Sequence, residues 1–247
     1  RVLHEQNGVL GRVNALFARR VAAVACGTWP TVLPTGARGI DIGNPVRASI
    51  LERHGAPYIP TGDHPMMLLV FGGSQGARVL SEVVPQAVAL LPDRVRRDLR
   101  VVQQARAEDH DQVTAAYAKI DIQARVEPFL NDMSDLLAEA QVVVSRSGAS
   151  SVADIAIVGR PSVLVPLGAA IRDEQTANAM PLRRAGAAVV LAERDFMPDS
   201  LAKSLSPILR DPRLATSMAG AALGLARPDA TSRLVDLVER IAAGEYS

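Results

Sequence analysis

Short runs of apolar residues alternate with longer segments of helical periodicity from residue 66 onward. Residues 66–71 form an uninterrupted apolar run, which is typical of a strand buried on both faces. We predict five further strands, with helical segments between most of them, at residues 99–103, 124–129, 141–145, 162–166 and 187–191. This alternation predicts a parallel sheet with helices on both faces, the doubly wound α/β class.

The start of the chain has a different pattern. Residues 14–25 predict an amphipathic helix, and residues 27–43 are rich in glycine, proline and threonine. Asn44-Pro45 is typical of a crossing loop, because proline disfavours the helical conformation of the residue before it.

The end of the chain predicts one more amphipathic helix. Asp229 is a candidate N-cap, and the helix after it has an apolar stripe at Leu234, Leu237, Val238 and Ile241, which must pack against another element. We therefore divide the chain into residues 1–45, 46–228 and 229–247.

Composition and charge exclude several classes of protein. The 247 residues are 48% hydrophobic and 21% charged, as in an ordinary globular protein. Lysine and arginine total 27 against 26 acidic residues, and this net charge of +1 does not predict a nucleic-acid partner. The single cysteine, Cys26, excludes an internal disulfide and a cysteine-based zinc site. No run of about 18 apolar residues predicts a membrane span. A chain that begins with Arg1 rather than Met is expected to be part of a longer protein.

A glycine-rich segment, GGSQGA at residues 72–77, lies between the strand at 66–71 and the next helix. Glycines let the backbone approach a ligand, and the free amides at the start of a helix favour a phosphate. The spacing differs from the dinucleotide fingerprint, and Ala77 and Arg78 stand where a Walker motif requires lysine and serine or threonine. The segment is a candidate phosphate site, in which Ser74 adds a hydroxyl donor. The alternative is a tight turn that binds nothing.

A second small-residue segment, RSGASS at residues 146–151, follows the predicted strand that ends at Ser145. Because the carboxyl ends of parallel strands share one edge of a sheet, two such segments predict a single ligand site. The alternative is that Ser147 and Ser150 cap the helix and that Asp154 only interacts with the helix dipole.

Two polar clusters complete the candidate chemistry. Residues 172–178 (RDEQTAN) bring carboxylates and amides to a helix start, where they suit a hydroxyl-rich ligand. HEQN at residues 4–7 places four hydrogen-bonding side chains in a row. Phosphate-binding segments together with hydroxyl-reading side chains indicate a nucleotide sugar, although each cluster alone is compatible with a solvated helix start or a surface turn.

Together these motifs resemble one family, the UDP-N-acetylglucosamine (UDP-GlcNAc) transferases of peptidoglycan synthesis known as the MurG family. The resemblance runs in order along nearly the whole chain, through HEQN at 4–7, GNPVR at 43–47, FGGSQGA at 71–77, FLNDM at 129–133, RSGA at 146–149, QTANA at 175–179 and GAA at 186–188. It implies the GT-B architecture of two Rossmann-like domains. Residues 1–45 would be the last part of an N-terminal acceptor domain, 46–228 the complete UDP-GlcNAc donor domain, and 229–247 a helix that crosses back to the acceptor domain.

The resemblance also implies roles for individual residues. Ser74 and the neighbouring amides would bind the diphosphate, and the Leu130 backbone would read uracil. Asp154 stands where the family has a glutamate for the ribose, and Gln175 and Asn178 would contact the sugar. The implied donor-binding set is Arg47, Ser74, Gln75, Gly76, Phe129, Leu130, Met133, Gly148, Ala149, Asp154, Glu174, Gln175 and Asn178. The implied catalytic residues are Glu5 and Asn7, of which Asn7 would also hold the sugar from across the cleft.

The reaction implied by the resemblance is inverting transfer of N-acetylglucosamine from UDP-GlcNAc to lipid I, a polyprenyl-linked acceptor, to form lipid II. The protein would be peripheral, at the cytoplasmic face of the bacterial inner membrane. Helix amides and Arg47 would stabilise the departing UDP without a metal or other cofactor. The family's proposed general base is a histidine in an N-terminal glycine loop outside this chain, so the chain as given is expected to bind UDP-sugars weakly and not to turn over.

Three alternatives stay open: a related UDP-sugar-dependent lipid glycosyltransferase such as a diacylglycerol glucosyltransferase, a non-catalytic nucleotide-binding module, and a UDP-sugar epimerase of similar fold. Every hypothesis that involves UDP depends on one prediction about the position of two segments. The segments at 72–77 and 146–151 must meet at the same edge of the sheet, beside a slot for uracil.

Overall fold

The computed structural model describes residues 1–73, 77–168 and 173–245, which form two parallel sheets and their helices. The strands are β1 (Val2–Glu5), β2 (Ala23–Cys26), β3 (Gly39–Asp41), β4 (Met66–Phe71), β5 (Leu99–Gln104), β6 (Gln123–Glu127), β7 (Val142–Ser145), β8 (Ser162–Leu164) and β9 (Ala188–Val190). The helices are α1 (Arg12–Phe17), α2 (Ala48–Leu51), α3 (Arg78–Ala89), α4 (Asp93–Arg97), α5 (His110–Ala118), α6 (Met133–Glu139), α7 (Ala149–Val158), α8 (Glu174–Arg184), α9 (Pro198–Arg210), α10 (Pro212–Leu223) and α11 (Ala230–Ala242). Short 3-10 turns lie at Ala18–Arg20 and Glu193–Asp195.

The larger sheet contains the six strands predicted from the apolar runs, in the order β6-β5-β4-β7-β8-β9, and all its pairs are parallel. Helices α3, α5 and α9 cover one face, where Leu80 and Leu205 are fully buried. Helices α6, α7 and α8 cover the other face, where Leu137 and Ile155 are fully buried. Each such side chain contributes about 2 kcal/mol of hydrophobic stabilisation, so the predicted doubly wound α/β class is confirmed with its core on both faces of the sheet.

The smaller sheet has the order β1-β2-β3 and is also parallel. Helix α11 packs on it through Leu234, Leu237 and Ile241, against apolar side chains that include Ile42. The predicted stripe is wrong at Val238, which lies on the outer side of the helix and is 43% exposed.

The predicted helix at residues 14–25 is wrong in its second half. Helix α1 and the 3-10 turn after it end at Arg20, and residues 23–26 form β2 instead. All four residues of β2 are fully buried, because β2 is hydrogen-bonded to β1 on one side and to β3 on the other. Pairing with strands that are distant in sequence therefore overrides the local helical pattern.

The order of the strands reverses at β4, which lies between β5 and β7. In the β4–β7 pair, Phe71 is in register with Ser145. The segments that follow these two residues therefore begin side by side at the carboxyl edge of the sheet, where open α/β sheets bind ligands.

Candidate functional site

The smaller sheet contributes the loop that follows β1. Glu5 is buried at the end of β1, and its carboxylate accepts hydrogen bonds from the Asn7 N–H (3.1 Å), Asn7 Nδ2 (3.2 Å), the Gly11 N–H (2.8 Å) and Asn14 Nδ2 (2.9 Å). Burial by itself raises the pKa of Glu5, but these bonds outweigh it and hold the pKa below its ordinary value. Glu5 is thus an ionised anchor for the loop that presents Asn7, and the catalytic role implied for Glu5 stays a prediction.

Two asparagine side chains join this loop to the larger sheet. Asn178 Nδ2 donates to Asn7 Oδ1 (3.0 Å) and to the Ser147 carbonyl (3.2 Å), while Asn178 Oδ1 accepts from the Gly8 N–H (2.9 Å). Asn178 is fully buried. The structure therefore brings together the two residues expected on opposite sides of the sugar, and a sugar bound by Asn178 would have to share or replace one of these bonds.

The loop after β7 leads directly into α7. Gly148 is the N-cap residue of this helix and Ala149 its first residue, so the positive end of the helix dipole lies at the carboxyl edge of the sheet. One helical turn further, Asp154 lies 3.4 Å from Arg47 Nη2. Burial raises the pKa of Asp154 to about 6, and Arg47 limits the increase. A buried carboxyl group with a raised pKa beside an arginine is a candidate functional group.

The loop between β6 and α6 carries the residues expected at the base. Phe129 is 59% exposed, Leu130 is buried, and Met133 begins α6. Gln104 holds this loop next to the glycine-rich segment, because its Nε2 donates to the Pro128 carbonyl (3.2 Å) and its Oε1 accepts from the Gly72 N–H (3.1 Å). Gln104 was not among the site residues predicted from the sequence. A glutamine at the end of a buried strand could have indicated it, because a buried polar side chain needs hydrogen-bond partners.

The start of α8 carries the expected sugar-binding residues. Glu174 is its first residue and is half-buried, which suits a carboxylate near a helix N-terminus. Gln175 Oε1 accepts from the Leu167 N–H at 3.0 Å, so the amide nitrogen of Gln175 is the group that it can offer to a sugar hydroxyl.

A second feature that was not predicted from the sequence is an ion pair beneath residues 165–168. Arg146 Nη1 is 2.9 Å from Glu193 Oε2, which also accepts from the Gly168 N–H (2.8 Å). Burial alone raises the pKa of Glu193, but the bonds from Gly168 and Arg146 hold it below its ordinary value. The two charged residues are 47 positions apart, and no local pattern links them.

Three of the residues predicted to bind the diphosphate, Ser74, Gln75 and Gly76, lie outside the described residues. The preceding Gly73 has φ +83°, a conformation that favours glycine. Diphosphate binding by these three residues stays a prediction.

A solvent-open cleft lies between the smaller sheet and helices α7 and α8. Its lining includes Thr28, Asn44, Ala149, Asn178 and Arg227. Among the described residues, no three His, Cys, Asp or Glu side chains are grouped so that they could hold a metal ion. None of the helices within these residues has the length and hydrophobicity of a membrane span.

Comparison with known proteins gives consistent matches along the chain. Residues 67–240 match the C-terminal domain of glycosyltransferase family 28. A protein of Chelativorans sp. (strain BNC1) is 44% identical over 246 residues, covering 99% of this chain and 66% of the relative. One of Granulibacter bethesdensis is 46% identical over 241 residues, covering 97% of this chain and 63% of the relative. Both are named UDP-N-acetylglucosamine–N-acetylmuramyl-(pentapeptide) pyrophosphoryl-undecaprenol N-acetylglucosamine transferase. The chain thus spans slightly less than two thirds of these relatives.

Solved structures give matches of the same kind. The crystal structure of MurG from Acinetobacter baumannii has a TM-score of 0.80 and 32% identity, covering 97% of this chain and 67% of that protein. A putative UDP-N-acetylglucosamine 2-epimerase from Listeria monocytogenes has a TM-score of 0.60 at 15% identity, covering 90% of this chain and 60% of that protein. The second likeness shows a shared fold alone.

Proposed function

Because the chain belongs to glycosyltransferase family 28 and, within it, to the MurG family with its GT-B fold, we propose that it binds UDP-GlcNAc as a glycosyl donor. The proposed reaction of the protein is inverting transfer of N-acetylglucosamine to the polyprenyl-linked lipid I, which gives lipid II for peptidoglycan synthesis. The identity to enzymes named for this transfer supports the proposal over an epimerase or a non-catalytic module.

The pairing of Phe71 with Ser145 is the observation that carries this proposal. It places the ends of β4 and β7 side by side, which supports our proposal that backbone amides after both strands bind one ligand. Gln104 adds the base loop to the same edge through its bonds to Gly72 and Pro128. The segments proposed to bind the diphosphate and the base of one nucleotide are therefore adjacent.

The chemistry proposed for these residues is electrostatic. When UDP departs, negative charge develops on its β-phosphate, and the amides at the start of α7 stabilise this charge without rearrangement. Arg47, whose side chain is 65% exposed beside Asp154, is long enough to turn toward the diphosphate. We propose that these groups suffice without a metal ion.

Isothermal titration calorimetry tests the donor site in this chain. We expect UDP-GlcNAc to bind more tightly than UDP-glucose, because the site is proposed to read the N-acetyl sugar. The Arg47→Ala variant is expected to bind both nucleotides at least 10-fold more weakly, since a charge-assisted hydrogen bond contributes about 1.5–3 kcal/mol.

Arg53→Ala is the matched control, because Arg53 follows the same short helix and pairs with the exposed Asp135 at 2.5 Å. We expect this variant to retain wild-type affinity. An Arg47→Ala affinity equal to wild type would contradict the donor-site assignment. Equal affinity for the two sugars would favour a related lipid glycosyltransferase.

We also propose that α1 contacts an anionic membrane surface, consistent with a lipid-linked acceptor. Val13, Leu16 and Phe17 are 68%, 64% and 42% exposed. Arginines at positions 12, 19 and 20 are exposed around them. Apolar side chains flanked by cations bind the interface of anionic bilayers.

Leu16→Glu is expected to weaken binding to phosphatidylglycerol-containing vesicles about 5- to 10-fold, because it removes an apolar contact and adds a repelled charge worth about 1 kcal/mol. Co-sedimentation with vesicles measures the change. Ile59→Glu, at a 61% exposed position outside α1, is the control and should bind like wild type. Equal binding by Leu16→Glu and wild type would refute the role of α1.

A further inference from the structure

The segment 165–168, which follows β8, is held from below by a buried arginine. Arg146 is only 8% exposed, and its Nη1 donates to the carbonyls of Val165 and Pro166, both at 3.2 Å, and to Glu193 Oε2 at 2.9 Å. The guanidinium group therefore holds two consecutive peptide units at the point where β8 ends.

Glu193 completes the support from a different strand. It begins the 3-10 turn after β9, and its Oε2 accepts from the Gly168 N–H at 2.8 Å. A Cβ atom at position 168 would lie 3.3 Å from Glu193 Cβ, so the glycine allows the loop to approach this closely. The Arg146–Glu193 pair thus connects the ends of β7 and β9 to residues 165–168, which follow β8.

The upper side of the same loop holds Gln175. Its Oε1 accepts from the Leu167 N–H, which belongs to the same peptide unit as the Pro166 carbonyl that Arg146 holds. The position of Leu167 therefore sets the rotamer of Gln175 and the direction in which its amide nitrogen points.

A role in stability alone is a poor explanation for this pair. Well-packed apolar residues stabilise a fold as well as or better than a buried ion pair, because removing two charges from water is costly. What an ion pair with several directional bonds provides is a fixed geometry. Here that geometry is imposed on a loop next to the donor site rather than on the sheet core.

We propose that Glu193 is a positioning residue for the donor sugar: through Arg146 and the Gly168 N–H it fixes residues 165–168, and through Leu167 it orients Gln175. This inference rests on the proposed function, and it extends that function by separating the reading of the sugar from the binding of UDP. Gln104 holds the base loop through the Pro128 carbonyl, and Asn178 holds the Ser147 carbonyl just before α7. We therefore expect the effect of Glu193 to fall mainly on the sugar.

The test is calorimetric titration of the Glu193→Gln variant of this chain with UDP and with UDP-GlcNAc. Glutamine retains an acceptor for Gly168 and the size of the side chain but loses the charge that holds Arg146. We expect UDP-GlcNAc to bind about 5- to 10-fold more weakly than to wild type, while UDP affinity changes less than twofold. Retained UDP affinity also shows that the variant is folded.

Glu139→Gln is the control, because Glu139 forms an ion pair of similar length with Arg100 (2.8 Å), which is more exposed and lies at the start of β5 rather than at the carboxyl edge. It should bind both ligands like wild type. Unchanged affinities in Glu193→Gln, or an equal loss for UDP and UDP-GlcNAc, would overturn the positioning role. If wild type bound neither ligand, the proposed function would fail, and this inference with it.

Discussion

Replacement of Arg160 by methionine is expected to lower the free energy of unfolding by about 3 kcal/mol. Arg160 is 1% exposed, and its guanidinium group donates to the carbonyls of six residues at 2.5–3.3 Å, namely Ala56, Pro57, Leu137, Ala138, Val158 and Gly159. Four of these carbonyls lie at the ends of α6 and α7, where the helix dipoles favour a cation.

Two opposing contributions determine the size of this effect. Burial lowers the pKa of Arg160 to about 10, which corresponds to a cost of roughly 3 kcal/mol for the charged form. The guanidinium group has five N–H donors for the six carbonyls, so two carbonyls share one donor, and five hydrogen bonds at about 1–1.5 kcal/mol each exceed this cost. Methionine fills similar space but leaves the carbonyls without a donor, so the hydrogen bonds decide the sign.

Urea denaturation followed by circular dichroism measures the change in stability. Arg53→Met is the control, because the side chain of Arg53 is 49% exposed and its ion pair with Asp135 is solvated. Exposed pairs contribute about 0–1 kcal/mol. A loss below 1 kcal/mol for Arg160→Met would show that the carbonyls find other partners.

Asp154→Asn is expected to stabilise the protein at neutral pH and to weaken nucleotide binding. The folded-state pKa of about 6 is above the ordinary value of 3.8. Asp154 therefore contributes stability that is fully present below about pH 4 and is lost as the pH rises through 6. The variant removes this loss, so we expect a gain of about 3 kcal/mol over wild type at pH 7 and little difference at pH 4.

The affinity is expected to change in the opposite direction. An ionised carboxylate accepts hydrogen bonds from ribose hydroxyls more strongly than an amide does, and we expect UDP-GlcNAc to bind Asp154→Asn at least 10-fold more weakly at pH 7. A residue that destabilises the fold but supports binding is one retained for function.

Thermal unfolding at pH 4 and pH 7, with titration calorimetry at pH 7, measures both effects. Asp135→Asn is the control, since Asp135 is half-exposed in its pair with Arg53 and is expected to change neither quantity. Lower stability of Asp154→Asn at pH 7, or unchanged affinity, would contradict the interpretation of this carboxyl group.

The apolar runs were sufficient to predict the inner strands of the larger sheet because a strand buried on both faces needs an apolar residue at nearly every position. Residues 66–71 are β4 with the predicted bounds. The same reasoning failed at residues 23–26, where short apolar sequence fits a helix or a strand equally well. Contact with β1 and β3 decided between them.

By itself, then, the sequence determined the order of strands and helices in the larger sheet, the family and the segments that carry polar chemistry, since each of these is a local pattern along the chain. The tertiary structure alone decided that Arg47 meets Asp154 and that Arg146 meets Glu193. It also committed the Asn178 amide to a bridge between the sheets. These outcomes depend on distances between residues far apart in sequence and on burial, and only packing fixes both.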